Sequence, residues 1–293
     1  MNQIILLSSI IILIIALSII YVYYLMDYNS YIDFSNINHV NYPSKRVAVL
    51  LSGQIRTGHI GCLWSQIIHI IHPLQADVFF CFDNDLANQD KKNIMNLLKP
   101  KAYMWNSHIA KDNGIIEKNL EFMYSRIYKC NKLKQEYESD NKFKYDIVIR
   151  SRPDIIIKEK IPLTTIENIK QNTIYYPSIN KYDMLTSNSF IGITDQFAIG
   201  DSNSMNTYAN TYNFIYPEYI NFLKNKKVTC TSSESILKYY LKTKNIKTIN
   251  YYQKFILHNK RLNNNIFNAL IEYFKKWKYY PMIKCYNQNN LLI

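Results

Sequence analysis

The chain has 293 residues, 48% of them hydrophobic, and a formal net charge of +13. That is enough chain for a real core, arranged as one large domain or two small ones. The charge excludes less than its size suggests, because Asn, Ile, Lys and Tyr are all abundant, a bias that an AT-rich genome produces without functional cause. The lysines are scattered rather than set in one stripe, so nucleic-acid binding, which wants a clustered basic face, is set aside. An anionic membrane surface or an anionic small substrate fits the charge equally well.

Residues 4–26 contain no charged side chain, and Tyr21, Tyr23 and Tyr24 gather at one end. A helix of that length spans roughly 34 Å at about 1.5 Å per residue, enough for a hydrocarbon core of about 30 Å, with the tyrosines at headgroup level. A cleaved secretory signal has a shorter apolar stretch, a basic start and a small-residue exit. Here no Lys or Arg precedes the run and its exit is bulky, so an uncleaved anchor over residues 1–26 is expected. The flanks offer little charge, and Asp27 and Asp33 on the far side favour a type II orientation with the C-terminal domain lumenal or external. Residues 27–44, polar and ending near Pro43, read as a stem, and residues 45–293 as the globular domain.

Residues 47–51 form a continuous apolar run, the mark of a strand buried on both faces. The turn-forming loop Ser52-Gly53-Gln54-Ile55-Arg56-Thr57-Gly58 follows, then a helical period over 62–72, a second buried strand over 77–82, a helix over 90–98 and a short strand over 102–105. A long charged helix is expected over 117–139 and a buried strand over 145–149. The alternation points to an α/β fold with a mostly parallel sheet. In the second half, strands are expected at 174–176, 196–199 and 246–252, and helices at 202–216, 233–243 and 263–277. The five cysteines (Cys62, Cys81, Cys130, Cys230, Cys285) have neither zinc-ligand spacing nor a readable disulfide framework. His69 and His72 read as ordinary helix-surface or core histidines.

Ligands of open α/β sheets sit at the carboxyl ends of the strands, and several strand ends here are chemically unusual. In the first loop, Gly53 lets the backbone approach a ligand and Arg56 is a natural phosphate partner. Gly53 and Gly58 have P-loop spacing, but His59-Ile60 stands where the Lys-Ser/Thr pair belongs, which disfavours a P-loop ATPase. Arg150-Ser151-Arg152-Pro153-Asp154 follows a buried strand. It reads either as a structural Arg–Asp ion pair or as a diphosphate site, with Arg150 or Arg152 neutralising phosphate and Asp154 holding a divalent cation or gripping the donor sugar. Asp195, opening the apolar run before Gly200, is either a turn aspartate or, in a cleft, a group that positions an acceptor hydroxyl or takes its proton. Asp83-Asn84-Asp85 is an Asp-x-Asp triplet after a strand, formally a metal signature of sugar transferases.

Together these pieces resemble a family of glycosyltransferase-like proteins with a GT-A-like, Rossmann-related fold found in bacteria, algae and large DNA viruses. The resemblance rests on Ser52-Gly53-Gln54-Ile55-Arg56, Trp64, Ala76-Asp77-Val78-Phe79, Tyr145-Asp146-Ile147-Val148-Ile149-Arg150-Ser151-Arg152-Pro153-Asp154, Asp195-Gln196-Phe197-Ala198-Ile199-Gly200 with Met205 and Tyr208, and Ser233-Glu234-Ser235-Ile236-Leu237. It covers roughly residues 46–250 and departs from the family after the second strand, where relatives continue to Thr-Trp and this chain has Cys81-Phe82-Asp83-Asn84-Asp85. The resemblance implies transfer of a sugar from a nucleotide-sugar donor to a glycan, lipid or protein acceptor, with Mn2+ or Mg2+ as an accompanying ion. It implies Asp154, Asp195 and Glu234 as catalytic residues, with Asp154 the metal ligand. Ser52, Gly53, Gln54, Arg56, Asp83, Asp85, Arg150, Arg152 and Gln196 would then bind the donor, Asp83 towards the nucleobase. The alternatives are a sulfotransferase-like enzyme and a membrane-tethered glycan-binding protein without catalysis. The residue bias and the anchor fit a large DNA virus as the source.

Overall fold

A computed structural model describes residues 45–55, 59–107, 118–157, 159–177, 193–215, 220–221, 232–251 and 255–257, together with Leu17 and Glu218. Apart from Leu17, the expected anchor and stem lie outside the described residues, as do Arg56, Gly58 and the expected helix at 263–277. Among the described residues no helix is long and apolar enough to cross a membrane.

The protein is a mixed α/β structure built on a seven-stranded, mostly parallel sheet. β1 (Val47–Gly53) pairs in parallel with β2 (Asp77–Asp83) on one side and with β4 (Ile147–Ser151) on the other. β3 (Ala102–Asn106) lies parallel outside β2. Beyond β4, β7 (Phe197–Gly200) runs antiparallel to both β4 and β6 (Thr173–Pro177), and β8 (Lys247–Tyr251) closes the far edge parallel to β6. The order is β3-β2-β1-β4-β7-β6-β8. A separate antiparallel pair joins β5 (Ile155–Ile157) to β9 (Phe255–Leu257).

The continuous apolar runs are explained by helices on both faces, which leave the central strands no solvated side. Ala48 and Leu50 of β1 face a core shared with Leu120, Tyr124, Ile127 and Cys130 of the long helix α3 (Lys118–Asp140). Val47, Val49 and Leu51 face the opposite core, with Leu63 of α1 (His59–Gln66) and Ile94 and Leu98 of α2 (Asn88–Leu98). Each fully buried Leu, Ile or Phe contributes about 1.5–3 kcal/mol, so the two cores dominate the favourable side of folding. Cys62, Cys81 and Cys130 are buried free thiols, and burial pushes Cys81 up to about 12.

Two expected helices come out differently. The period over 62–72 is not one α-helix: after Gln66 the chain widens into a π turn at Ile67–Ile71, with His72 N–H donating to Ile67 O at 2.9 Å. Four consecutive residues there, Ile67 to Ile70, are buried, more than a single α-helical stripe can turn inward. Burial lowers the pKa of His69, and that of His72, with Lys160 adding to both. Past the short α4 (Leu163–Glu167), the helix expected at 202–216 breaks at Asn210 into α5 (Ser202–Ala209) and α6 (Thr211–Phe214). Thr211 Oγ1 donates to Tyr208 O at 2.7 Å, a local bond that competes with the helical ladder.

At the amino edge of the sheet α3 is tied to α5 by charge. Lys134 Nζ donates to Glu138 Oε2 at 3.0 Å, to Ser202 Oγ at 2.5 Å and to Asn206 Oδ1 at 3.0 Å. Glu138 Oε1 accepts from Ser202 Oγ at 2.7 Å and from Tyr145 N–H at 2.9 Å. Burial lowers the pKa of Lys134, and Glu138 opposes that. Removing one partner strands the other in the core, which costs about 3–5 kcal/mol, whereas replacing both by apolar groups is often near neutral. Lys134→Met is therefore expected to lower the urea midpoint sharply, and Lys134→Met with Glu138→Leu to recover most of the loss. Equal losses in the single and double variants would show that the cost lies in the lost bonds and not in a stranded Glu138.

Candidate active site at the carboxyl edge of the sheet

After β1 the chain goes on to β2 on one side, and after β4 it goes on to β6 on the other, so the two central strands lead in opposite directions along the sheet. Such a switch point is where open α/β sheets bind ligands. Gly53 has φ +139°, and a Cβ there would stand 3.3 Å from Pro153 Cδ, so the loops after β1 and β4 touch. The antiparallel β7 begins at this same edge: Ser151 is opposite Phe197, and Arg152 N–H donates to Gln196 O at 3.0 Å. Ile193 N–H donates to Glu234 O at 3.3 Å, and Tyr124 Oη donates to Ser233 O at 2.7 Å. These bonds fix the first turn of α7 (Ser233–Thr243) beside Asp195. Ser52 and Gly53, Arg152 to Asp154, Asp195 and Gln196, and Glu234 thus come together.

Asp154 is fully buried and held by a two-pronged pair: Arg152 Nε donates to Oδ1 at 2.9 Å and Nη2 to Oδ2 at 2.7 Å. The structural ion pair weighed for this motif is therefore present. Both oxygens of Asp154, the residue expected to hold a metal, accept from Arg152. Among the described residues no group of three or more His, Cys, Asp or Glu is placed to hold a metal. The Arg152 side chain keeps 19% exposure. Burial works to lower its pKa but is outweighed by Asp154, Asp195 and Glu234, which raise it. Gln66 Nε2 donates to Arg152 O at 2.8 Å and supports the turn from below.

Arg150 is different. It lies in β4 opposite Leu50 and Ala198 and is 1% exposed. Its Nε, Nη1 and Nη2 meet no hydrogen-bond acceptor among the described residues. Burial lowers its pKa, and Tyr208 and Asp195 oppose that fall. Tyr124 and Tyr208, both fully buried, share the core on this face of the sheet, and Tyr208 Oη donates to Asp195 O at 3.4 Å. Burial raises the pKa of both phenols, so each stays a neutral donor.

On the β1–β2 side, Asp83 forms an ion pair with Arg126 of α3. Burial raises the Asp83 pKa against the pull of Arg126. Gln54 Nε2 donates to Asp85 Oδ2 at 3.4 Å, which sets the Asp83–Asp85 loop beside the first loop. Lys91 Nζ reaches Asn84 Oδ1 at 2.7 Å, and Lys129 Nζ reaches Asn106 Oδ1 at 2.6 Å. Ser52 Oγ is buried without a partner among the described residues. Sequence reasoning missed Tyr124 and Arg126, because on an amphipathic helix Tyr124 reads only as the core residue between Leu120 and Ile127. The charged groups thus fall into two clusters, Asp83, Asp85 and Arg126 towards β2, and Arg152, Asp154, Asp195 and Glu234 towards β7.

No protein-family model matches this chain, and no curated protein sequence matches it. Among solved structures, it is similar to the apo-form glycosyltransferase GlyE of Streptococcus pneumoniae TIGR4, at 11% sequence identity and a TM-score of 0.39 over 71% of this chain. The chain spans 45% of the length of that protein.

Because Asp154 has no exposure, removing its charge strands Arg152. Asp154→Asn is expected to destabilise the fold by about 3 kcal/mol, the lower end for a broken buried pair because Arg152 retains some solvent. Equilibrium urea unfolding reads this directly. A midpoint within error of the parent would mean that the pair contributes nothing to folding.

Proposed function

We propose that this chain is a nucleotide-sugar-dependent glycosyltransferase on a GT-A-like sheet, acting at the carboxyl edge between β1, β4 and β7. One observation carries the reading: motif segments far apart in the chain, from Ser52 to Glu234, meet at a single switch point. The donor lies across that edge, its nucleoside towards Ser52, Gly53, Gln54, Asp83 and Asp85 and its diphosphate towards Arg152 and Gln196. Arg56, outside the described residues, belongs to the same donor loop. In the reaction the acceptor oxygen forms a bond to the anomeric carbon, and the bond from that carbon to the diphosphate oxygen breaks. The electron pair leaves with the nucleoside diphosphate, and the acceptor proton passes to Asp195. Arg152 is the partly exposed cation where negative charge develops, and such a preorganised donor is worth a few kcal/mol in a water-poor site. Asp154 orients Arg152, and Glu234 faces the acceptor. The donor's Mn2+ or Mg2+ finds no ligand set among these residues, so no step is assigned to it. Residues 1–26 hold the enzyme in a membrane as a type II protein, its catalytic part lumenal or external.

A screen of full-length protein against nucleotides and nucleotide-sugars, with and without manganese, tests the reaction class. A donor at about 100 times its Kd stabilises the fold by about 2.7 kcal/mol and raises Tm accordingly. Stabilisation by adenosine 3′,5′-bisphosphate alone would point to sulfotransfer, and stabilisation by glycans with no effect of any nucleotide to a binding protein. With the donor identified, Asp195→Asn is expected to lower kcat by about 10²-fold or more, the usual loss of a general base. Unchanged turnover would remove Asp195 from the chemistry.

Carbonate extraction is expected to leave the full-length chain in the membrane fraction. A mature N-terminus near Tyr28 would instead show a cleaved signal.

A further inference from the structure

A buried guanidinium without hydrogen bonds is costly, and such a residue persists only where something nearby repays the desolvation. Arg150, whose guanidinium meets no acceptor among the described residues, is such a residue. Its side chain enters the core between the sheet and helices α3 and α5, the one that holds Val148, Ala198, Tyr124, Tyr208 and Met205. Its strand neighbour β7 starts two residues after Asp195, whose own burial is nearly complete. The tyrosines lining this core hold the groups above it: Tyr208 bonds the Asp195 carbonyl, and Tyr124 bonds the carbonyl of Ser233 next to Glu234. Asp154 is already taken by two bonds from Arg152. A diphosphate would reach Arg152 first, because Arg150 lies beneath the edge with almost no exposure.

We propose that Arg150 is a positioning residue, the buried counter-charge that fixes Asp195 from beneath, and not a ligand of donor phosphate. This rests on the reading of Asp195 as the group that takes the acceptor proton. A fixed positive charge under a carboxylate in a low-dielectric core restrains where that carboxylate can point, without a hydrogen bond between them. The two arginines of one motif then have separate tasks: Arg152 meets the leaving group and Arg150 holds the base.

The test is a cycle on the full-length chain with Arg150→Met, Arg150→Lys and Asp195→Asn. Arg150→Met is expected to lower kcat at least tenfold while donor KM and nucleoside-diphosphate affinity by calorimetry stay within twofold. Arg150→Lys should restore most of kcat, and Arg150→Met in the Asp195→Asn background should change kcat less than twofold. Tenfold weaker nucleotide binding in Arg150→Met would overturn the proposal in favour of a phosphate ligand. An equal kcat loss with and without Asp195 would overturn it in favour of a general structural role. Should Arg150→Met fail to fold, Arg150→Lys and Arg150→Gln enter the same cycle. If the parent protein transfers no sugar from any donor, glycosyl transfer fails, and urea unfolding decides the pairing. Effects of Arg150→Gln and Asp195→Asn on the folding equilibrium that depart from additivity threefold or more support the pair, and any smaller departure overturns it.

Discussion

The pairing of β4 with an antiparallel β7 is the constraint on which the rest of the site depends. In a purely parallel sheet each strand delivers its carboxyl end, and one loop, to the ligand edge. An antiparallel neighbour delivers its amino end there too. The register that sets Ser151 against Phe197 brings Asp195 and Gln196 alongside Arg152 and fixes them with a backbone bond. A slip of one residue would turn the side chains of β7 to the opposite core and carry Asp195 along the edge. Phe197 and Ile199 pack into one core and Ala198 into the other, which penalises that slip.

The two ends of the sheet use buried charge in opposite ways. At the amino edge Lys134, Glu138, Ser202 and Asn206 bond to one another, and Tyr145 N–H also donates to Glu138. Such a network specifies how α3 packs on α5. At the carboxyl edge Ser52 Oγ and the three nitrogens of Arg150 are buried without a partner among the described residues. Proteins keep such local violations mainly where function needs them. The same helix α3 serves both ends, its carboxyl-terminal turns carrying Lys134 and Glu138 and its amino-terminal turns carrying Tyr124 and Arg126. Weakening the amino-edge network would therefore loosen the support of the site as well as the fold.

How much of this was legible in the sequence follows from which forces are local. β1, β2 and β4 announce themselves because burial on both faces demands unbroken apolar runs. The start of α5 was legible too, and the structure adds its cap: Asp201 takes the N–H groups of Asn203 and Ser204, each at 3.0 Å. β5 was not, because Ile155–Ile157 becomes a strand only by pairing with Phe255–Leu257, about a hundred positions away. The π turn after Gln66 arises from tertiary burial of four consecutive residues, which no helical period encodes. In the site, the loops were found from their residue types, but their partners were not. Nothing in the sequence says that Asp154 closes on Arg152 rather than on an ion, or that Arg126 takes Asp83. Those choices depend on depth and direction, which the fold alone supplies.

The segment from Arg150 to Asp154 shows how backbone chemistry separates two like residues. Arg150 and Arg152 are two positions apart, so an uninterrupted strand would point both into the same core and bury two guanidinium groups side by side. β4 ends at Ser151, and Pro153 holds Arg152 in extended backbone while denying the strand a further donor. The chain then bends, Gln66 Nε2 takes the Arg152 carbonyl, and Asp154 comes round to within reach of the Arg152 side chain. Arg150 stays in the core because it is still in the strand, and Arg152 leaves it because the strand has ended. Replacing Pro153 by a residue with a free N–H would remove the bend's preset φ and favour longer pairing with β7. The difference between the two arginines, one beneath the edge and one at its surface, is thus set by where a five-residue strand stops.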